Sequence, residues 1–230
     1  MLLEQRLRSR RGVRIVERPS GPFGVQLIPT RRVTAPEVRH ALTRVPPTDR
    51  AVVTSALTPS ESGPFLENGF VERERLHLLR HDLSPASDVR DAGASIRRGR
   101  RSDLPAVLDI DAASFDSFWR LDAAGIAGAR RATPRHRYGV ATTDGVVTGY
   151  SIVGRADTVA FLQRLAVHPD QRRMGTAREL VEDGLSWARQ HECRYMLVNT
   201  QVSNRGAFDF YEAVGFRAEP HQLTVYEWPT

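Results

Sequence analysis

A chain of 230 residues, 40% hydrophobic and 26% charged, is long enough for a sizeable core in one and a half to two domains without covalent staples. Its single cysteine, Cys193, excludes an intrachain disulfide. No Cys/His cluster has metal-site spacing, and no apolar run approaches the roughly 20 residues of a membrane span. The formal charge of +6 invites a polyanion partner, but all 33 basic residues are arginine and 27 carboxylates are scattered among them, which reads as solvated surface charge rather than a nucleic-acid footprint.

The N-terminal MLLEQRLRSRRG has too short an apolar stretch for a secretory signal, so the expectation is a soluble cytoplasmic protein with no membrane partner. VRIVERP and FGVQLIP read as β-rich, APEVRHALTRV as a helix, AVVTSAL as an apolar strand, and FVERERLHLLRHDL closes the first part. Residues 84–95, SPASDVRDAGAS, are small and polar, the composition of a linker. Beyond them, DLPAVLDIDAASF carries a helical stripe of Val107, Leu108, Ile110 and Phe115, with Asp103 offered as its N-cap. YGVATTD and GVVTGYSIVG form a hairpin around Asp144-Gly145. AFLQRLAV is a strand, TARELVEDGLSWARQH a helix and YMLVNTQV a strand; RGAFDFYEAVG is a helix ending on glycine, and LTVYEW the last strand. That order predicts an α/β (α+β) domain around a central sheet.

The chain also matches part of itself. Laying Gly69-Phe70 on Gly215-Phe216 without a gap sets Val52 on Val198, Thr54 on Thr200, Thr58 on Asn204 and Phe65 on Tyr211. The first part then reads as a second copy of the C-terminal half of the fold, with very little ahead of it.

HPDQRRMGTA, residues 168–177, joins a strand to a helix. A helix beginning near Gly175 aims several backbone N–H groups at one point, where phosphate or pyrophosphate can be held. Gly175 admits the main chain to close approach, Ala177 keeps the next turn narrow, and Arg172 and Arg173 add countercharge. The spacing matches neither GxxxxGK[ST] nor GxGxxG. Loop glycine and solvated arginines are the plain alternative. His168, followed by proline, reads as a turn residue rather than a base.

RLAVHPDQRRMGTA, followed about 27 residues later by NRGAFDFYEAVGF, resembles the GNAT family, the Gcn5-related N-acetyltransferases, whose cofactor loop is R/Q-x-x-G-x-G/A. Here that loop is Arg172-Arg173-Met174-Gly175-Thr176-Ala177. The resemblance covers about residues 96–230, and loosely the ribosomal-protein N-terminal acetyltransferase branch. It implies a GNAT fold with a mixed central sheet splayed at the cofactor site, preceded by a smaller, partial GNAT-like lobe. Residues 1–83 would be that partial, non-catalytic lobe, 84–95 the linker and 96–230 the catalytic domain.

It further implies acetyl-CoA as cofactor and transfer of acetyl to a primary amine, on a small molecule or a protein N-terminus, by direct attack in a ternary complex. Leu165, Ala166 and Val167 would pair with the pantetheine arm, and backbone N–H groups from Arg173 to Ala177 would hold the pyrophosphate, with Met174 and Thr176 inside that run. Asn204 would bond the cofactor, Tyr211 would protonate the leaving thiolate, and the Val167 N–H would take the oxyanion. Tyr211 as a core aromatic and Asn204 as a helix cap are the plain readings. No metal is implied, and the oligomeric state, monomer or homodimer, stays open.

One departure matters. Many relatives place a carboxylate base on the strand that here reads AFLQRLAV, which carries Gln163 and Arg164. A water chain, a side chain from elsewhere or an acceptor arriving as free amine would have to serve. Asp111, Asp116 and Asp122 flank the acceptor-side segment SFDSFWRLD, in which Phe115, Phe118 and Trp119 are core or substrate floor. The missing base also keeps open a non-catalytic acyl-CoA-binding sensor or scaffold of the same fold.

Overall fold

The computed structural model describes residues 12–18, 23–83 and 96–229. The arginines at positions 6, 8, 10 and 11 and the whole 84–95 linker lie outside the described residues. The elements run β1 (Val13–Glu17), β2 (Phe23–Pro29), α1 (Ala35–Leu42), β3 (Ala51–Thr54), α2 (Pro59–Leu66), β4 (Val71–Asp82), β5 (Ile96–Arg98), α3 (Leu104–Ser114), α4 (Ala123–Arg131), β6 (Arg135–Thr143), β7 (Val146–Ala156), β8 (Val159–Val167), α5 (Thr176–Gln190), β9 (Tyr195–Gln201), α6 (Arg205–Ala213), β10 (Arg217–Ala218) and β11 (Leu223–Trp228).

Two compact units divide the chain, and they do not follow chain order. The first holds the described residues up to Leu78 together with Asn199–Asp209 and those from Ala218 onward. The second holds the described part of Leu79–Val198 together with Phe210–Arg217.

In the first unit β1 and β2 are antiparallel, and β2 and β3 parallel. The chain's last strand, β11, lies between β3 and β4, antiparallel to both, with Glu227 opposite Val53 and Leu223 opposite Leu76. Strand β2 is buried along nearly its whole length, and its one polar side chain, Gln26, accepts from the Arg18 guanidinium at 2.8 Å. The core gathers Leu27, Val38, Val52, Leu57, Phe65 and Phe70 around helices α1 and α2.

In the second unit β5, β6, β7 and β8 form an antiparallel run, and β9 joins β8 in parallel. Asp144 and Gly145 turn the β6–β7 hairpin with φ of 50° and 80°, the left-handed pair such a turn needs. Helix α5 lays Leu180, Val181, Leu185 and Ala188 against β7 and β8, an i, i+4 stripe on one face. Asp103 departs from expectation as a side-chain cap. A 3₁₀ turn over Arg101–Asp103 precedes α3, and the carboxylate instead accepts the Arg100 N–H at 2.6 Å and both guanidinium arms of Arg97 at 2.7 Å. The Arg97 guanidinium thereby holds the Asp103 carboxyl below its usual range.

The internal match has a structural counterpart. After α2, Phe70 donates its N–H to Phe65 O, and after α6, Phe216 donates to Tyr211 O, at 3.2 and 3.0 Å. Gly69 and Gly215 close the two helices with φ of 83° and 96°, a conformation that strains any side chain. The ring pairs Phe65–Phe70 and Tyr211–Phe216 both meet edge-on, at 5.3 and 5.6 Å between centroids. Such pairs add about 0.5–1.5 kcal/mol beyond their buried area. Thr58 and Asn204 stand at the equivalent helix starts, Asn204 Oδ1 accepting the Ala207 N–H at 3.0 Å. The match also extends upstream, since β2–α1–β3 repeats the order β8–α5–β9. Among the described residues no helix is long and apolar enough to cross a membrane.

Candidate active site

Strand β8 loses one of its two neighbours partway along. Its parallel ladder to β9 runs from Val159 opposite Tyr195 to Phe161 opposite Leu197 and ends there, while its antiparallel ladder to β7 continues to Val167 opposite Gly149. The parallel pairing stops at this point, and Leu165, Ala166 and Val167 lie beyond it. Val167 O accepts the Ser114 hydroxyl at 3.2 Å, and Leu165 packs on the cluster of Ala141, Val167 and Leu180.

The strand also carries a bulge. Arg164 faces Ile152 and Leu162 faces Val153, so Gln163 is the extra residue. Its amide donates to Thr133 Oγ1 at 3.5 Å, while its Oε1, buried, has no partner among the described residues.

From Val167 the chain passes a turn in which the His168 N–H bonds Thr148 O at 2.9 Å, and His168 Nδ1 accepts the Asp170 N–H at 3.3 Å, a turn role as expected. A 3₁₀ turn over Pro169–Gln171 leads to Arg172, Arg173, Met174 and Gly175, all exposed. Gly175 is the N-cap of α5 with φ 90° and ψ −17°, and a Cβ built there meets nothing within 4 Å. The first backbone bond of the helix runs from the Glu179 N–H to Gly175 O at 3.1 Å, leaving the donors of the first turn facing the loop. Thr176 and Ala177 are half-buried, Ala177 against the Ala141–Val167–Leu180 cluster.

Tyr211 is buried, and burial pushes its phenol well above the usual value of 10, with the Arg164 guanidinium opposing that rise. The hydroxyl therefore stays protonated across the physiological range. Asn204 belongs to the other unit, where it caps α6.

The three carboxylates around the segment SFDSFWRLD are each engaged in the fold. Asp116 accepts the N–H groups of Phe118 and Trp119 at 2.9 and 3.1 Å, and Asp122 caps α4 through the Gly125 N–H at 2.6 Å. Asp111 is fully buried and holds Arg164, itself only 4% exposed, with two contacts of 2.8 Å. Its Oδ2 also takes the Tyr150 hydroxyl, whose proton burial holds far above the ordinary tyrosine range.

This Asp111–Arg164–Tyr150 cluster was not anticipated from the sequence. One signal for it exists: Asp111 sits four residues after Val107 on the buried face of α3, where a carboxylate needs a buried cation. Helix α4 was missed as well, although Asp122 before AAGIAGARR is an N-cap signal. Among the described residues no group of three or more His, Cys, Asp or Glu could hold a metal ion.

Residues 104–216 match the family model of the Acetyltransferase (GNAT) family. A Bacillus subtilis (strain 168) protein that bears the name "Putative [ribosomal protein bS18]-alanine N-acetyltransferase" is 25% identical over 124 residues, which is 54% of this chain and 81% of that protein. Two solved structures share the fold. A GCN5-related N-acetyltransferase from Kribbella flavida, 17% identical, has a TM-score of 0.63 over 96% of this chain and 91% of its own. An acetyltransferase of the GNAT family from Novosphingobium aromaticivorans, 18% identical, has 0.62 over 91% and 85%. Over residues 104–216, therefore, the chain carries an acetyltransferase domain of the GNAT family.

Proposed function

We propose that the protein is an acetyl-CoA-dependent N-acetyltransferase that moves an acetyl group to a primary amine by direct attack in a ternary complex. The observation that supports this best is the half-open edge of β8 leading into a helix whose N-cap is a left-handed glycine facing open space. Strand edge and helix start suit the two parts of coenzyme A, an amide-bearing arm and a pyrophosphate.

Backbone groups of Leu165, Ala166 and Val167 orient the arm. The N–H groups from Arg173 to Ala177 hold the pyrophosphate, with Arg172 and Arg173 as countercharge. Asn204 enters on its place in the motif alone. Acetyl-CoA, when bound, would supply an electrophilic thioester carbonyl. In a transfer that bonds an amine nitrogen to that carbon and breaks the C–S bond, the Val167 N–H would stabilise negative charge on the carbonyl oxygen, and Tyr211, protonated at physiological pH, would give its proton to the departing sulfur.

On β8 Gln163 is neutral and Arg164 is locked to Asp111, so the acceptor reacts as free amine and gives up its proton to solvent. For a peptide N-terminus, kcat/KM then rises tenfold per pH unit up to an α-amino pKa of about 8. A limb titrating in the carboxylate range would contradict this.

The acceptor class we favour is a peptide N-terminus, supported by the name of the B. subtilis relative. The second reading, a sensor that binds acyl-CoA without turnover, is favoured by the engagement of Asp111, Asp116 and Asp122. Thiol release with alanine-initiated peptides and simple primary amines decides between them: saturable cofactor binding with no release for any amine selects the sensor.

Residues 1–83 we read as a non-catalytic lobe to the catalytic 96–230. Phe65 stands at the position of Tyr211 and brings no hydroxyl, and the turn before α1 has no glycine.

A further inference from the structure

The buried pair on β8 ties together more than its two charges. Arg164 donates through Nε and Nη2 to the Asp111 carboxylate, and Nη2 also reaches Trp119 O at 2.8 Å. The guanidinium lies over the Phe115 ring, 3.4 Å from its centroid. Asp111 Oδ1 in turn accepts the Leu121 N–H at 2.6 Å. One ion pair thus grips the connection between α3 and α4 at Phe115, Trp119 and Leu121, through a ring face, a carbonyl and an amide. The next residues along β8 are Leu165–Val167, the edge assigned above to the cofactor arm.

Given that assignment, on which this inference rests, we infer that Arg164 is a positioning residue: through Asp111 and the Trp119 carbonyl it sets the acceptor-side segment 115–121 against the cofactor strand. A planar fork suits the task, because one guanidinium satisfies a carboxylate and a carbonyl while stacking on a ring. A lysine ammonium keeps the charge and cannot hold all three. A pair that served only the core would need none of the contacts to Trp119 and Leu121.

The test is Arg164→Lys, which leaves the buried charges balanced, in the full chain. Three readouts are taken: amide exchange of residues 115–121, acetyl-CoA affinity by calorimetry, and steady-state kinetics with an alanine-initiated peptide and a set of simple primary amines. The inference expects exchange in 115–121 to quicken at least tenfold with α5 and β7 unchanged. KM should rise about tenfold by a similar factor for every amine turned over, acetyl-CoA affinity should stay within twofold, and kcat should change less than KM. Unchanged exchange in 115–121, or an unchanged KM, overturns it, as does an equal loss of cofactor affinity.

If Arg164→Lys does not fold, Phe115→Leu keeps the ion pair and removes only the stacked ring. A smaller rise in exchange over the same segment, with cofactor affinity kept, is then expected, and no rise overturns the inference. Wild-type protein that turns over no amine would count against the catalytic reading alone, because the exchange readout still decides whether the clamp exists.

Discussion

Two strand–turn–helix connections in this chain are nearly the same text. Before α1 it reads Arg31-Arg32-Val33-Thr34-Ala35-Pro36-Glu37, and before α5 Arg172-Arg173-Met174-Gly175-Thr176-Ala177-Arg178-Glu179. Besides Val33 for Met174 and Pro36 for Arg178, one inserted glycine separates them. With it, the helix begins on a left-handed residue that has no side chain, and the first-turn donors stay open. Without it, threonine becomes the N-cap at φ −106°, and Glu37 turns back to accept both the N–H and the hydroxyl of Thr34 at 2.9 and 3.1 Å. Arg31 closes onto the same carboxylate, and together these bonds hold the Glu37 carboxyl down to about 2. The first loop thus supplies its own anion, and the second, on the proposed reading, is left to take one from outside. A cavity of about 300 Å³ does adjoin the first loop, but Glu61 and Glu67 line it along with Arg31 and Arg32.

The comparison can be broken in several places, and the largest effect is expected from cutting the chain. The first unit is completed by β11, whose Leu223, Val225 and Tyr226 are buried in pairing with β3 and β4. Removing residues 1–90 strips that strand of both partners, and the truncated chain should be insoluble or lack a cooperative melt. A soluble truncation with wild-type kinetics would refute this.

Next comes Gly175→Val. A β-branched residue at φ 90° costs about 1–2 kcal/mol of backbone strain and places its side chain in the space assigned to phosphate. Acetyl-CoA binding should weaken at least 100-fold by calorimetry. Arg31→Ala and Arg32→Ala at the other loop should leave it within twofold.

Tyr211→Phe should lower kcat roughly 100-fold, within the usual range for a lost general acid, while cofactor affinity stays within twofold. Phe65→Tyr should add no activity. Equal losses of rate and affinity in Tyr211→Phe would argue against the acid role.

The smallest effects belong to the self-closed loop. Thr34→Ala should cost about 1 kcal/mol of stability by denaturant titration, as lost N-caps do. Because the Glu37 carboxyl lies lower folded than its ordinary 4.5, its contribution is present above that pH and is lost as pH falls toward 2. The difference in melting temperature between wild type and Glu37→Gln should shrink across that window.

Much of this architecture is legible in sequence because it rests on local signals. Asp144-Gly145 names its hairpin, Gly215 stops α6, and the apolar spacing of TARELVEDGLSWARQH names the buried face of α5. The repeat is legible through Gly69-Phe70 and Gly215-Phe216, since a left-handed glycine after a helix is hard to replace. The kinship of the two loops is not, because one missing glycine breaks the motif, and only the shared order of β2–α1–β3 and β8–α5–β9 brings the two arginine pairs into register.

What stayed hidden depends on pairing distant in sequence. Asp111 and Arg164 lie on different elements, and neither residue alone announces the other. The bulge at Gln163 shows only in the register of β8 against β7, and it moves the residues that sequence reading held up against a missing base. That β11 belongs with the first unit follows from ladder partners, which no local pattern encodes.

The claim that one loop is open and its near-copy closed is tested most directly by titrating the full chain with acetyl-CoA in a calorimeter. The account predicts one saturable site per chain, abolished by Gly175→Val and unaffected by Glu37→Ala. Two sites in the wild type, or a single site that survives Gly175→Val, would contradict it.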